Sequence, residues 1–246
     1  MDKKNSLFFI ILFCSLSLSA QTERNFSGWG AVFSSYRISP KFSIHLDGQL
    51  RSTDEIRHLQ SFLIRPGLNF HVSGNKILTI GYAYIKNRRV IDETAYMLPE
   101  HRIWEQFIYN QNLDISDHTT SLQHRFRLEQ RFIGKTYPDE NSMLIDGYEF
   151  SHRLRYFVRG VFPIVKTKSF TDGAFISLQD EIFVNIDNAP TLTNGKFFDQ
   201  NRAYMSLGWR FSPKFDLECG YMYQYVNGKN TDVKNNIIQL AAYVRL

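Results

Sequence analysis

Cysteine is nearly absent from this chain: Cys14 and Cys219 are its two thiols. Cys14 falls in an N-terminal export signal described below, so a processed chain keeps Cys219 alone and can form no internal disulfide. The staples on which small secreted domains depend are therefore excluded. Long apolar runs are missing as well. The longest, Leu7 to Leu18, falls short of the ~20 residues that a spanning helix needs. The seven histidines are scattered, and neither His-x-x-x-His nor a Cys/His pair has ligand spacing. No metal site or cofactor is expected, and no glycine-rich phosphate cradle is present. A formal net charge of +5 and a pI near 9.1 raise the question of nucleic acid. The basic residues are dispersed one or two per segment, with no Lys/Arg-rich run and no binding motif. They read as charges lining a wet interior, and no nucleic-acid partner is expected.

At the N-terminus Lys3 and Lys4 form a basic region, Leu7 to Leu18 an apolar core, and Ser17-Leu18-Ser19-Ala20 a small-residue cleavage site. This is the pattern of a cleaved secretory signal over residues 1–20. Phe13 before Cys14 does not suit lipidation. Cleavage leaves residues 21–246, that is 246 minus 20 or 226 residues, and removing Asp2, Lys3 and Lys4 lowers the charge from +5 to +4. A β-domain of this size forms undivided.

Alternation with period two fills the rest. Phe42, Ile44, Leu46 and Leu50 oppose Lys41, Ser43, His45, Asp47, Gln49 and Arg51. Leu122, Phe126, Leu128 and Phe132 oppose Gln123, Arg125, Arg127, Glu129 and Arg131. Ile176, Leu178, Ile182 and Val184 oppose Ser177, Gln179, Glu181 and Asn185. Period two puts successive side chains on opposite faces of a strand. Eleven strands are expected near 28–38, 41–53, 59–73, 76–90, 100–115, 119–134, 148–162, 174–187, 201–211, 215–227 and 236–246. Such lengths suit a tilted membrane crossing better than soluble strands of five or six residues. Tight turns at Ser39-Pro40, Gly74-Asn75, Ser116-Asp117 and Ser212-Pro213 alternate with longer polar segments at 54–58, 91–99, 135–147, 188–200 and 228–235. The 21 Phe, 13 Tyr and 3 Trp suit aromatic girdles.

The expected fold is an all-β transmembrane antiparallel up-and-down β-barrel of about 10–12 strands in the bacterial outer membrane. Barrels of this kind carry even strand numbers. Ten or twelve is therefore preferred, with a missed strand or a first segment lying partly inside the barrel. Strand 100–115 separates its faces poorly around Trp104, Glu105, Gln106 and Phe107, as a bulge would make it do. The final alternation of Ile238, Leu240, Ala242, Val244 and Leu246 is similar to an outer-membrane insertion signal without its terminal aromatic.

The candidate site is an Arg/Glu array on the polar faces: Arg51, Arg125, Arg127, Glu129, Arg131, Glu149, Arg153, Arg155, Glu181 and Arg202. Paired, these fill a narrow barrel as structural ballast. Unpaired, they line a pore suited to a small polar or anionic solute. Outer-membrane lipid and, during insertion, the barrel-assembly machinery are the other expected partners. The alternative class is a lipid-modifying hydrolase or acyltransferase barrel using Glu149, Ser151 and His152. Ser151 and His152 are adjacent, so a strand would turn them to opposite sides and deny them a direct hydrogen bond. No catalytic residue is assigned.

Glu100-His101-Arg102-Ile103-Trp104-Glu105-Gln106, then His124-Arg125-Phe126-Arg127-Leu128-Glu129-Gln130-Arg131-Phe132, recur with Arg153-Leu154-Arg155-Tyr156, Asp180-Glu181-Ile182-Phe183, Asp199-Gln200-Asn201-Arg202 and Gly220-Tyr221-Met222-Tyr223-Gln224. In this order, over residues 28–246, the set resembles the domain-of-unknown-function 2490 family, found mainly in Bacteroidota. The resemblance implies an outer-membrane barrel and carries over no activity and no site residues. The function expected is passage or binding of small polar solutes, or a structural part in the envelope.

Overall fold

The computed structural model describes residues 22–246 apart from 92, 116–117, 140–141, 166, 168 and 188–192, so the expected signal at 1–20 lies outside the described residues. Eleven strands follow one another: β1 Thr22–Arg37, β2 Phe42–Thr53, β3 His58–Ser73, β4 Lys76–Ile91, β5 Thr94–Ile115, β6 His118–Asp139, β7 Ser142–Pro163, β8 Gly173–Asn185, β9 Phe198–Ser212, β10 Phe215–Val226 and β11 Asp232–Arg245. Each pairs antiparallel with the next, and the sheet closes on itself between β1 and β11. Closure removes every sheet edge.

The preference for ten or twelve strands is corrected to eleven. Among the described residues no further strand is present, and the first segment is wall rather than contents. An odd number of up-and-down strands leaves the first and last pointing the same way. Their seam must therefore be parallel, and it runs from Thr22↔Asp232 to Ser35↔Arg245. The barrel is mixed at this one place. Leu246 and Arg37 lie together at the end carrying the tight turns, where the Arg37 amide donates to the Leu246 carbonyl at 2.6 Å.

Two of the expected long loops are strand. The β4–β5 register continues to Ile91↔Thr94, and the β6–β7 register to Asp139↔Ser142. Beyond the barrel wall both faces of a hairpin are wet, so the hydrophobic alternation fades while backbone pairing persists. The 54–57 connection is tight, with Asp54, Glu55 and Ile56 in the left-handed region at φ 53°, 53° and 70°.

No bulge interrupts β5 near Trp104. Its pairing with β4 and β6 is continuous through this stretch, Gly81↔Trp104 and Trp104↔Glu129 included. The faces looked mixed because an aromatic points in and an acid points out. Glu105 on the outer face accepts from the Gln130 side chain at 3.1 Å. Trp104 is fully buried inside, and two glycines make its place. Gly67 and Gly81 are cross-strand partners, and Gly81 in turn faces Trp104. A Cβ at Gly81 would lie 2.3 Å from the Trp104 ring and 2.6 Å from the Pro66 carbonyl oxygen. The indole thus lies against bare backbone.

Outside, β3 presents Phe62, Ile64, Leu68, Phe70 and Val72, all exposed. From Phe62 to Val72 is roughly 33 Å of strand at about 3.3 Å per residue. At the tilt usual in membrane barrels this is a band roughly 25 Å tall. Leu178 and Met205 continue the apolar exterior on β8 and β9.

Gly81→Ala should cost about 1–3 kcal/mol, as overpacking a rigid site does. Gly30→Ala, which meets nothing within 4 Å, should stay within about 0.5 kcal/mol of wild type. Denaturant unfolding of the two refolded variants checks this.

Candidate functional site

The inward positions of β5 to β9 carry a layer of guanidinium and carboxylate groups across the middle of the barrel. Glu129 on β6 is its centre. It accepts from Arg155 at 2.5 Å and Arg153 at 2.8 Å on β7, and from Arg102 at 3.2 Å on β5. Glu181 on β8 accepts from Arg155 at 2.6 Å and from Arg125 at 2.8 Å. The Arg125 pair reaches over β7, so it ties strands that are not neighbours. Glu100 accepts from Arg102 and Arg131 at 2.8 and 2.7 Å, and Asp199 from Arg153 at 3.0 Å. On the facing wall Arg65 donates to Asp47 at 2.6 Å. Glu129 and Glu181 are only 1 % and 3 % exposed, so these pairs are dry. Charge-assisted bonds of this kind stabilise only when each carboxylate is fully partnered, because desolvation is costly.

Rings complete the layer. Phe183 lies under the guanidiniums of Arg155, Arg202 and Arg153 at 4.5, 4.8 and 5.1 Å. Trp104 lies under Arg127 at 4.3 Å, and Trp29 under Arg51 at 4.1 Å and Arg202 at 5.1 Å. An aromatic face attracts a cation at modest energy without neutralising it.

Below this layer, toward the tight-turn end, a cavity of about 560 Å³ opens. Its rim includes Arg37, His71 and Leu246; its floor includes Arg51, Arg65, Arg125 and Arg202. A second set of ties crosses it. Arg159 on β7 donates to Glu218 on β10 at 2.7 Å and also bonds Tyr243 on β11. Arg210 and Arg245 share Asp216 at 2.8 and 2.7 Å.

Of the residues expected from sequence, Arg125, Arg127, Glu129, Arg131, Arg153, Arg155, Glu181 and Arg202 come together in the layer. Arg51 joins it through Trp29 and through Gln49, whose side-chain oxygen it reaches at 2.7 Å. Glu149 does not. It sits at the long-hairpin end against Lys135 at 3.4 Å, partly exposed. Asp47, Arg65, Glu100, Arg102, Arg159 and Glu218 belong to the ties and were not singled out. Their signal was parity: each falls on the polar phase of its strand. Trp29, Trp104 and Phe183 sit among the charges although they are apolar, and composition by face could not place them.

Ser151 is buried inside the wall, whereas His152 projects outward and donates its backbone amide to Asp187 at 2.8 Å. Its ring Nδ1 lies 2.9 Å from the same carboxylate. Burial pushes the Asp187 carboxyl up, but the bonds from His152 outweigh it and hold the group below its ordinary range. Ser151 and His152 thus stand on opposite sides of the sheet, and no nucleophile–base pair forms between them.

A closed eleven-strand β-barrel with a charge-filled middle and a vestibule at one end is the class these features define. The chain belongs to the family described as Protein of unknown function (DUF2490), which matches residues 26–235. It is also similar to an uncharacterized protein of Methylorubrum extorquens, 24% identical over 199 residues, covering 80% of this chain and 78% of that one.

Glu129→Gln leaves three buried guanidiniums short of a partner. It should cost about 3–5 kcal/mol of unfolding free energy. Glu149→Gln, with one partly exposed partner, should cost no more than ~1 kcal/mol. Equilibrium unfolding in a common detergent compares them.

Proposed function

We propose that this chain is an exported barrel of the bacterial outer membrane that holds small polar solutes at its periplasmic end and does not conduct them through. The outer apolar band and the aromatic pairs near its borders support the membrane setting. Phe42 and Phe70 lie 5.4 Å apart near the tight turns, and Phe132 and Phe150 lie 5.0 Å apart toward the long hairpins. Short turns face the periplasm in such barrels, which sets the vestibule on that side. Lipid contacts the outer wall, and the barrel-assembly machinery is the partner during insertion.

One observation carries the closed reading. Arg127, Glu129, Trp104 and Phe183 are each 0–1 % exposed although they project into the lumen. Side chains packed to that degree leave no water-filled path, and ion passage needs one. The vestibule therefore ends blind at the charge layer. An anion-selective pore through the arginines is the weaker reading, because most of them are spent on carboxylates.

Reconstitution tests both halves. Wild-type protein refolded into lipid should give no steady current in a planar bilayer at either polarity; stable unitary currents would contradict closure. Leu178→Arg should lower the fraction inserted into vesicles, since arginine on the lipid face near the midplane costs about 2–4 kcal/mol. Gln123→Arg, which faces the vestibule, should insert like wild type.

A further inference from the structure

The charge layer does not balance. Nine arginines meet there: Arg51, Arg65, Arg102, Arg125, Arg127, Arg131, Arg153, Arg155 and Arg202. Five carboxylates answer them, Asp47, Glu100, Glu129, Glu181 and Asp199, so four positive charges are left over. The excess is not spread evenly. Among the described residues Arg51, Arg127 and Arg202 have no carboxylate within salt-bridge distance. Arg127 is sealed under Trp104 and bonded twice to the Gln106 side-chain oxygen, at 2.7 and 3.0 Å. Arg51 and Arg202 instead share Trp29 and line the cavity floor.

Three of the orphaned donors lie in the same place, while Arg127 Nη1 and Trp104 Nε1 are unpartnered inside the sealed layer. The Nε atoms of Arg65, Arg125 and Arg202 are buried with no hydrogen-bond partner, and all three residues line the cavity. Arg65 and Arg202 are 5 % and 9 % exposed. Arg51 feels the like charges of Arg202, Arg65, Arg155 and Arg102. Clustered charge and unsatisfied N–H groups of this kind are costly, and beside an open cavity a bound counter-charge relieves them. Asp47 and Glu181 already serve Arg65 and Arg125.

We propose that the floor of the vestibule, around Arg51, Arg202, Arg65 and Arg125, binds a phosphate or phosphomonoester group. A tetrahedral oxyanion offers many acceptor sites around one compact charge, and guanidinium forks match its geometry. A carboxylate would satisfy fewer of the converging donors. The cavity volume of about 560 Å³ exceeds what a bare ion needs and falls in the usual range of small-molecule sites. Phe33 and Tyr243, stacked at 5.0 Å, give an organic remainder an apolar wall on the way out. The inference deepens the solute-holding half of the reading above. It is independent of membrane location and of closure.

Isothermal titration of detergent-refolded protein tests it, with inorganic phosphate and glycerol phosphate as probes and glycerol as the uncharged control. The folded state is verified first by the gel shift on heating. The expected result is saturable binding of both phosphates and none of glycerol. Tighter binding of glycerol phosphate assigns the site to an organic phosphate, and equal binding to the free ion. Arg51→Gln and Arg202→Gln should each weaken binding at least tenfold, whereas Arg57→Gln, on an exposed turn at the other end, should not change it. If a glutamine variant does not refold, Arg51→Lys keeps the charge and loses the fork, and should weaken binding several-fold. Phosphate should also raise the unfolding midpoint of wild type, because a ligand of the folded state stabilises it by mass action. Folded wild type that shows no saturable phosphate binding, or Arg51 and Arg202 variants that bind as well as wild type, would overturn the proposal. Because no membrane is present, either failure leaves the conductance result untouched.

Discussion

Everything in this barrel depends on how its lumen is filled. Closing eleven strands satisfies the backbone but encloses a space that inward apolar side chains such as Leu63, Ile85 and Ile237 fill only in part. Alternation sends most apolar residues outward, so the rest of the space goes to the polar phase. Long arginines span it, and carboxylates from other strands meet them. Arg125 reaches from β6 to Glu181 on β8, and Arg159 from β7 to Glu218 on β10. These bonds join strands the backbone ladder does not join. The ladder holds neighbours together; the charges brace the wall across its width.

Aromatic rings inside the layer follow from the same constraint. A guanidinium that has no carboxylate can still rest on a π-face, and Trp29, Trp104 and Phe183 are placed to offer one. Room for them is made locally, by Gly67 and Gly81 under Trp104. The result is a packed middle and a cationic recess. Structural bracing and the proposed binding site are thus two readings of one arrangement. Where arginines are matched they brace the interior, and where they outnumber the acids the excess positive charge carries the anion site proposed above.

Much of this was legible in the sequence. Period two named the strands and their faces, and it put Arg125, Arg127, Glu129 and Arg131 on one row of a single strand. Eleven strands were counted and then set aside for ten or twelve on the even-number rule, and no local feature argued back, because a parallel seam has no local signature: β1 and β11 look like any other strands. The hairpin arms at 94–99, 135–139 and 142–147 were read as loops because wet strands lose hydrophobic alternation while keeping their hydrogen bonds. Trp104 was misread as a bulge because its place is made by glycines on two other strands. Which arginine finds which carboxylate depends on register and on reach across the lumen, neither of which a single strand encodes. Glu149 shows the difference: right face, wrong height.

A double-mutant cycle on Arg159 and Glu218 tests most directly whether charge pairs brace the barrel across its lumen. Unfolding free energies would be measured for Arg159→Met, Glu218→Gln and the double variant. If the pair is a brace, each single change strands a buried partner and the double variant costs clearly less than the two together, with a coupling of at least about 1.5 kcal/mol. Additivity within about 0.5 kcal/mol would contradict the account, because it would mean that the two groups fill space without holding each other.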